Sequence, residues 1–258
     1  MGLSSNELKA TEPVYATLTR VAQRVPGWTP PEQMLALYCA VAFNRSVTGD
    51  VVEIGAWCGR STIALGLAAK AGGCRFHTVD IFPERDDWQQ NADGTWSVRM
   101  HIDGREVVAC ANHTVWDEAF QSDVLPVYAN GSCPRAWLDR SLEEFGLDST
   151  VTIYRGTAHD FVLHKADRVR ARLLFLDGDH SEEAVSADLE LLLPLLEPGA
   201  ILCLDDAFTG YDGVDGAIAN VVEAATELFD HEWVRITRKM LMVRRRAAPA
   251  PEIQASSG

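Results

Sequence analysis

The feature that most constrains this chain is a short stretch at residues 51–62, VVEIGAWCGRST. Here an apolar run ends in two spaced glycines and leads into a helical pattern. This order predicts a buried strand, a tight loop and a helix N-terminus. Gly55 and Gly59 permit a positive φ or a close backbone approach to a ligand, and the unpaired N–H groups of a first helical turn can bind an anionic group. The stretch therefore predicts a cofactor-binding turn in an α/β fold.

The number of glycines narrows the choice of cofactor. A dinucleotide fingerprint needs three glycines spaced G-x-G-x-x-G, and only Gly55 and Gly59 are present. Glu53 lies at the end of this strand, and Asp80 closes the next one at the distance expected of a ribose-binding acid. A ligand with an ammonium group and ribose hydroxyls, such as S-adenosylmethionine, suits these two acids better than a dinucleotide.

On these residues the chain resembles the class I S-adenosylmethionine-dependent methyltransferases, whose first motif is an acidic residue, any residue, Gly, three residues and Gly. The resemblance implies a Rossmann-like α/β fold: a seven-stranded, mostly parallel sheet with helices on both faces and a terminal antiparallel hairpin. It also implies that S-adenosylmethionine binds at the strand ends. The predicted cofactor-binding residues are Glu53, Gly55, Ala56, Gly59, Ser61, Thr62, Asp80, Gly156, Thr157, Ala158 and Asp177.

Two later strands end in carboxylates. A buried strand at residues 172–176 runs into the sequence DGDH at residues 177–180, and a strand at residues 200–204 ends in the pair at residues 205–206. Parallel strands bring their carboxyl ends to one edge of a sheet, so up to four carboxylates should meet beside the cofactor loop. Crowded carboxylates repel one another unless a proton or a cation joins them, and hard oxygen ligands suit Mg²⁺. The sequence therefore predicts a site for Mg²⁺ or another divalent cation.

These acids extend the resemblance to metal-dependent O-methyltransferases, including the catechol methyltransferases and the macrocin and novobiocin-type enzymes of antibiotic pathways. By position, the family's metal ligands fall on Asp177, Asp205 and Asp206. The family's base lies two or three residues beyond the first ligand, which falls on Asp179 or His180. We favour His180, because an imidazole with a pKa of about 6.5 can accept the proton of a hydroxyl. Asp179 is the alternative.

The rest of the chain divides around this core. Residues 1–49 predict an N-terminal helical cap, which either closes over the cofactor or serves as a packing layer. Residues 50–245 form the predicted methyltransferase domain, and residues 246–258 predict a disordered tail. Within the domain, residues 83–133 predict an insertion that covers the acceptor and contains a hairpin around residues 103–104. Its tryptophans either line the acceptor site or form a small core of the insertion, and they are Trp88, Trp96 and Trp116.

Composition limits the partners. The chain has 258 residues, which is long enough for one α/β domain. Its net charge of −14 argues against a nucleic-acid partner and favours an uncharged or cationic small molecule. The six cysteines are scattered without a CxxC pair, which predicts reduced, buried thiols in the cytoplasm. No apolar run approaches the roughly 18 residues of a membrane span, so a soluble protein without a membrane partner is expected. Homodimers are common in the resembling families, although no residue here indicates one.

The sequence thus predicts a Mg²⁺-dependent O-methyltransferase that acts on a hydroxyl of a small-molecule natural product, either a sugar or a phenol. A metal-independent N- or C-methyltransferase is the first alternative. The second is a non-catalytic protein that keeps the fold and binds the cofactor. A nicotinamide oxidoreductase is disfavoured, because its loop would need the third glycine.

Overall fold

A seven-stranded sheet lies at the centre of the computed structural model, which describes residues 5–111, 115–209, 212–225, 227–237 and 239–247. The strands of this sheet and of a second, three-stranded sheet are numbered together along the chain. They are β1 (Asp50–Ile54), β2 (Phe76–Asp80), β3 (Trp88–Gln90), β4 (Trp96–Ile102), β5 (Arg105–Ala109), β6 (Val151–Arg155), β7 (Ala171–Leu176), β8 (Leu196–Leu204), β9 (Phe229–Ile236) and β10 (Met240–Arg245).

The order of strands in the large sheet is β6-β2-β1-β7-β8-β10-β9. All neighbours from β6 to β8 are parallel, and β10 is antiparallel to both β8 and β9. The predicted seven-stranded, mostly parallel sheet with a terminal antiparallel hairpin is therefore confirmed. Strands β2 and β7 flank β1 and run parallel to it, so the carboxyl ends of the three strands lie next to one another. The strand order also reverses beside β1, and open α/β sheets bind their ligands at such a point.

Helices cover both faces of the sheet. The α-helices of the described residues are α1 (Ser5–Arg24), α2 (Pro31–Ala42), α3 (Arg60–Gly72), α4 (Asp117–Ala119), α5 (Pro134–Phe145), α6 (Ala158–Lys165), α7 (Glu182–Leu192) and α8 (Asp212–Ala217), of which α4 lies in the insertion. Successive strand residues point to opposite faces. On β7, Leu173 and Phe175 accordingly pack in the core with α1, α2, α3 and α5, whereas Leu174 and Leu176 pack in the core with α6, α7 and α8.

The last helix changes its hydrogen-bonding pattern along its length. Its α-helical part ends at Ala217, and a π-helical stretch over Ile218–Glu223 continues it. Phe229 begins β9 and pairs with Arg245 of β10.

The predicted insertion contains a small sheet of its own. Strands β3, β4 and β5 are antiparallel, and the predicted hairpin is confirmed as β4 and β5. The residues of its turn, Asp103 and Gly104, have φ values of +50° and +78°, the backbone twist that two-residue hairpins prefer. A third apolar cluster lies beneath this sheet and includes Trp88, Val98, Met100, Ile102, Phe120 and Val124.

Three further expectations concern the whole chain. All six cysteines are free thiols, but only Cys58 and Cys203 are buried, and the other four are half-buried. None of the described helices is both long and apolar enough to cross a membrane. Most of the predicted tail, residues 248–258, lies outside the described residues.

Candidate active site

A cavity of about 620 Å³ lies at the carboxyl edge of the parallel strands. Its wall includes the loops that follow β1, β2, β6, β7 and β8, as expected for a ligand site of an open α/β sheet. The predicted site residues in this wall are Gly55, Ala56, Ser61, Asp80, Gly156, Thr157, Ala158, Asp177, Asp179, His180, Asp205 and Asp206. Within the described residues, Glu53, Gly59 and Thr62 are not part of the wall.

The two glycines of the loop after β1 are required for different reasons. Gly55 has a φ of +93°, and a Cβ at this position would lie 2.0 Å from the Asp177 carbonyl oxygen. Gly59 has a φ of +100° at the N-cap of α3, and a Cβ there would lie 2.6 Å from Leu138 Cδ1 of α5. Gly55 therefore lets the loop lie against the end of β7, whereas Gly59 starts α3 and lets it pack against α5.

Glu53 stabilises this loop from beneath the cavity. Its Oε2 atom accepts hydrogen bonds from the hydroxyls of Thr62 and Thr78, both at 2.6 Å, and its side chain is fully buried. Burial raises the pKa of Glu53 to about 7, although the hydroxyl hydrogen bonds oppose the shift. The structure thus puts Glu53 and Thr62 in a hydrogen-bonded layer that joins β1, β2 and α3.

Asp80 ties the loops of three strands together. Its carboxylate accepts backbone hydrogen bonds from Trp57, at 2.8 Å, and from Phe82, at 2.6 Å. Its carbonyl oxygen accepts a hydrogen bond from the Gly156 N–H at 3.0 Å. Burial raises the pKa of Asp80 from its ordinary value, and the backbone donors oppose the shift. The loops after β1, β2 and β6 are therefore held around one acid that also faces the cavity.

His180 lies between two of the predicted carboxylates. Its Nδ1 atom is 3.1 Å from Asp206 Oδ2, and its Nε2 atom is 3.6 Å from Asp177 Oδ1. Asp206 itself has a φ of +51°, a conformation that non-glycine residues adopt infrequently. The loops after β7 and β8 thus meet through this imidazole, as the sequence pattern predicted for the neighbouring strand ends.

Two residues far apart in the sequence complete the cluster. Lys239, in the turn between β9 and β10, has its Nζ atom 2.6 Å from Asp205 Oδ2 and 3.2 Å from Asp206 Oδ1. Gln33 of α2 is fully buried, and its side-chain amide donates a hydrogen bond to Asp205 Oδ1. Both oxygens of Asp205 therefore already accept hydrogen bonds from the protein.

Burial and charge act in opposite directions on these groups. Burial raises the pKa of Asp177 well above its ordinary range, and the charge of Asp205 adds to the effect. Burial alone would lower the pKa of His180, but the neighbouring Asp177 and Asp206 carboxylates raise it above the usual value. Burial likewise opposes the protonated form of Lys239, yet the surrounding carboxylates raise the pKa of its ammonium group. The Lys239 ammonium thus lies against the carboxylates of Asp205 and Asp206.

Asp179 connects the cluster to the insertion. Its Oδ1 atom accepts a hydrogen bond from the Ser181 N–H, and its Oδ2 atom accepts one from the Cys110 N–H just after β5, both at 2.8 Å. Ser181 is the N-cap of α7, and its hydroxyl accepts a hydrogen bond from the Ala184 N–H. Asp179 therefore fixes the end of the hairpin next to the first turn of α7.

The insertion supplies an apolar part of the cavity wall. The residues concerned are Trp88, Val98, Val107, Val108, Ala109, Val115, Ala119 and Val124. Of the three tryptophans considered from the sequence, only Trp88 lines the cavity. Trp96 stacks on Phe120 at a centroid distance of 3.9 Å inside the insertion's own core, and Trp116 is 61% exposed. Trp88 therefore belongs both to the cavity wall and to the apolar cluster of the insertion, Trp96 packs against that cluster, and Trp116 is part of neither.

The N-terminal helices are both a packing layer and a source of cavity wall. Helices α1 and α2 pack in the core on one face of the sheet, and the link between them, residues 26–29, lines the cavity. Arg60 holds this link, because its guanidinium donates hydrogen bonds to the carbonyl oxygens of Ala22 and Val25 at 2.7 and 2.6 Å. Trp28 of the link lies against Trp57, with ring centroids 5.9 Å apart.

Several residues of the site were not found from the sequence. Gln33 and Lys239 reach the site only through tertiary packing, and no local pattern marks them. Asp188 of α7 lines the cavity, and burial, with the Asp179 charge, raises its pKa to about 7. The sequence does contain a signal for Trp57 as a site residue, because a bulky aromatic residue between two loop glycines is unusual. It has a φ of +47°, and its indole N–H has no hydrogen-bond partner among the described residues.

Comparisons with known proteins agree with this architecture. The family described as "Methyltransferase domain" matches residues 52–207. Among solved structures, the O-methyltransferase NovP superposes with a TM-score of 0.59 at 18% identity, over 84% of this chain and 81% of that chain. An O-methyltransferase from Bacillus cereus in complex with SAH gives a TM-score of 0.56 at 17% identity, over 90% of this chain and 91% of that one. TomG from Streptomyces achromogenes, an O-methyltransferase of tomaymycin synthesis in complex with SAM, gives 0.54 at 16% identity, over 91% and 89%.

Proposed function

This chain belongs to the methyltransferase-domain family, and from that premise we propose that it transfers the methyl group of S-adenosylmethionine to a hydroxyl oxygen of a small-molecule acceptor. One observation carries the proposal. The glycine loop, Asp80 and His180 all line the same cavity, so a cofactor held by the first two would share that space with a candidate base. NovP and TomG, which share the fold, are O-methyltransferases by name.

The cofactor is expected at the ends of β1, β2 and β6. Asp80 can accept hydrogen bonds from ribose hydroxyls, since each carboxylate oxygen has a second lone pair beyond its backbone partner. The short side chains of residues 156–158 leave room for the adenine ring beside it. Gly55 and Ala56 line the cavity without a bulky side chain, so their backbone could hold the methionine part of the cofactor.

The acceptor is expected to have an apolar ring or chain attached to its hydroxyl. The insertion contributes mostly valine, alanine and tryptophan to the wall, and Trp57 and Trp28 add aromatic surface. Such a wall favours a phenol over a free sugar, because the many hydroxyls of a sugar would lose their water partners there. The unpaired indole N–H of Trp57 can donate a hydrogen bond to a polar group of the acceptor.

In the proposed reaction His180 accepts the proton of the acceptor hydroxyl. The acceptor oxygen then forms a bond to the methyl carbon, the carbon–sulfur bond breaks, and its electron pair stays on sulfur to give S-adenosylhomocysteine. Asp177 and Asp206 orient the imidazole and stabilise its protonated form. Holding the two reactants at contact distance supplies much of the rate. Asp179 is the less favoured base, because both of its oxygens accept backbone hydrogen bonds.

The predicted Mg²⁺ does not fit the arrangement of these residues. Lys239 and Gln33 engage both oxygens of Asp205, and Lys239 and His180 engage both oxygens of Asp206. Within the described residues, no group of three or more His, Cys, Asp or Glu side chains is arranged to hold a metal ion. The proposed reaction therefore contains no step that depends on a divalent cation.

Calorimetric titration of the chelator-treated protein with S-adenosylmethionine tests the first half of the proposal. We expect micromolar binding that Asp80→Ala abolishes, while the control Asp93→Ala, an acid in a turn of the insertion that does not line the cavity, leaves it unchanged. Transfer of labelled methyl groups to a panel of phenols and sugars tests the second half. The absence of cofactor binding would overturn the proposal, and binding without transfer to any acceptor would favour the non-catalytic alternative.

A further inference from the structure

Two of the three acids that the resemblance assigned to a divalent cation, Asp205 and Asp206, contact the ammonium group of Lys239. The Lys239 Nζ atom contacts Asp205 Oδ2 at 2.6 Å and Asp206 Oδ1 at 3.2 Å, distances at which a lysine makes charge-assisted hydrogen bonds. The Lys239 side chain is only 22% exposed, and the Asp205 side chain is 1% exposed. Two buried opposite charges this close would be costly to separate.

Three of the four remaining carboxylate oxygens of Asp177, Asp205 and Asp206 also lie near a protein nitrogen. Asp205 Oδ1 accepts from Gln33, Asp206 Oδ2 lies against His180 Nδ1, and Asp177 Oδ1 faces His180 Nε2. Together with the two oxygens that contact Lys239, five of the six carboxylate oxygens of Asp177, Asp205 and Asp206 therefore lie against a nitrogen of the protein. A divalent cation could bind there only by displacing Lys239, since two cations in one site repel each other.

We propose that Lys239 is the resident cation of this site: its ammonium takes the place of the divalent metal and donates a hydrogen bond to the acceptor oxygen. An ammonium has three N–H donors, of which Asp205 and Asp206 accept two. Lys239 also lines the cavity, so its third donor can reach a bound hydroxyl. There it stabilises the negative charge that develops on the acceptor oxygen as His180 removes the proton and the methyl group arrives from sulfur.

This inference rests on the proposed function for its account of the acceptor, but the exchange of metal for lysine can be tested by itself. A lysine would hold one acceptor oxygen by a hydrogen bond, whereas a metal can hold two oxygens of a vicinal diol. The protein should therefore accept phenols with a single hydroxyl as readily as catechols.

The decisive measurement is the binding of Mn²⁺, followed by the electron paramagnetic resonance signal of the free ion, to chelator-treated protein. We expect wild type to leave Mn²⁺ free at micromolar concentrations. Lys239→Met should bind Mn²⁺ more than about tenfold more tightly than wild type, because the competing positive charge is gone. Lys239→Met combined with Asp205→Asn should lose that gain. Lys70→Met, which removes the same charge from a remote exposed site on α3, should behave like wild type.

Calorimetric titration of the same samples with S-adenosylmethionine separates the two proposals. Micromolar Mn²⁺ binding by wild type that is lost in Asp205→Asn would overturn the inference about Lys239, whatever the cofactor does. Failure of S-adenosylmethionine to bind would overturn the proposed function and leave the Mn²⁺ result to decide the identity of the cation. Should Lys239→Met not fold, wild type and Lys239→Arg, which keeps the charge and is expected to exclude Mn²⁺, still decide the question.

Discussion

Gly55 and Asp177 touch through their backbones: a Cβ on Gly55 would lie 2.0 Å from the Asp177 carbonyl oxygen. The Asp177 N–H also donates a hydrogen bond to the Ile54 carbonyl oxygen at 2.8 Å. The glycine loop after β1 and the carboxylate loop after β7 therefore form one unit. A substitution that moves either loop should therefore also move the other.

Gly55→Ala tests this coupling. The substitution requires both a strained φ of +93° and a movement of the β7 loop, so we expect a loss of about 3 kcal/mol or more in the free energy of unfolding. Binding of S-adenosylmethionine should weaken as well. Urea unfolding and calorimetry measure the two effects. The matched control is Gly72→Ala, whose Cβ meets only an ordinary contact with Cys74 and which should change stability by no more than about 1 kcal/mol. Equal behaviour of the two variants would contradict the coupling.

The buried carboxyl of Glu53 should make stability depend on pH. Burial raises its pKa from 4.5 to about 7, so the folded chain binds this proton more tightly than the unfolded chain. This contribution to stability is complete below about pH 4.5 and is lost as the pH rises through about 7. Glu53→Gln should remove the loss and raise the free energy of unfolding at pH 8 by up to about 3 kcal/mol. Urea unfolding at pH 5 and pH 8 measures the free energy of unfolding of both proteins. If the variant kept the pH dependence of wild type, the raised pKa of Glu53 would be contradicted.

The hydrogen bond between the Cys110 N–H and Asp179 should hold the insertion against the sheet. Asp179→Ala leaves the Cys110 and Ser181 amides without this acceptor, at a cost of about 1–3 kcal/mol in total. Hydrogen exchange should accelerate in β5 and in the first turn of α7, and binding of S-adenosylmethionine should stay within a few fold of wild type. Asp139→Ala, on the exposed face of α5, is the control. Unchanged exchange in β5 would show that other contacts hold the insertion.

Trp88 and Trp116 should respond differently to truncation. Trp88 is 7% exposed, lines the cavity and donates its indole N–H to the Tyr128 hydroxyl at 2.8 Å, whereas Trp116 is 61% exposed. Trp88→Ala should lower the free energy of unfolding by about 3–5 kcal/mol and raise the KM for the acceptor more than that for the cofactor. Trp116→Ala should change neither appreciably. Thermal unfolding and steady-state kinetics distinguish them, and a similar effect of both substitutions would contradict the described wall.

Much of the architecture could be predicted because it depends on short-range patterns. The apolar runs at residues 51–54 and 172–176 form strands, and their nearly continuous apolar character matches a sheet that is covered by helices on both faces. The two-residue hairpin turn at residues 103–104 follows from the left-handed backbone preferred by Asp and Gly. Asp177, Asp205 and His180 come together because parallel strands expose their carboxyl ends along one edge.

The chemistry of the site required the tertiary structure. A sequence shows that acids follow β7 and β8, but not which groups balance their charge. Lys239 belongs to the terminal hairpin and Gln33 to the second helix, so these two partners of Asp205 are about 200 positions apart in the chain. Similarly, Glu53 belongs to the motif that predicts the cofactor loop, yet packing against Thr62 and Thr78 buries it beneath that loop. Sequence patterns determined which strand ends meet, because backbone geometry is local. Only the packing of distant elements decided that these strand ends enclose the ammonium of Lys239, because the attraction between opposite charges depends on their distance in space and not on their separation in the sequence.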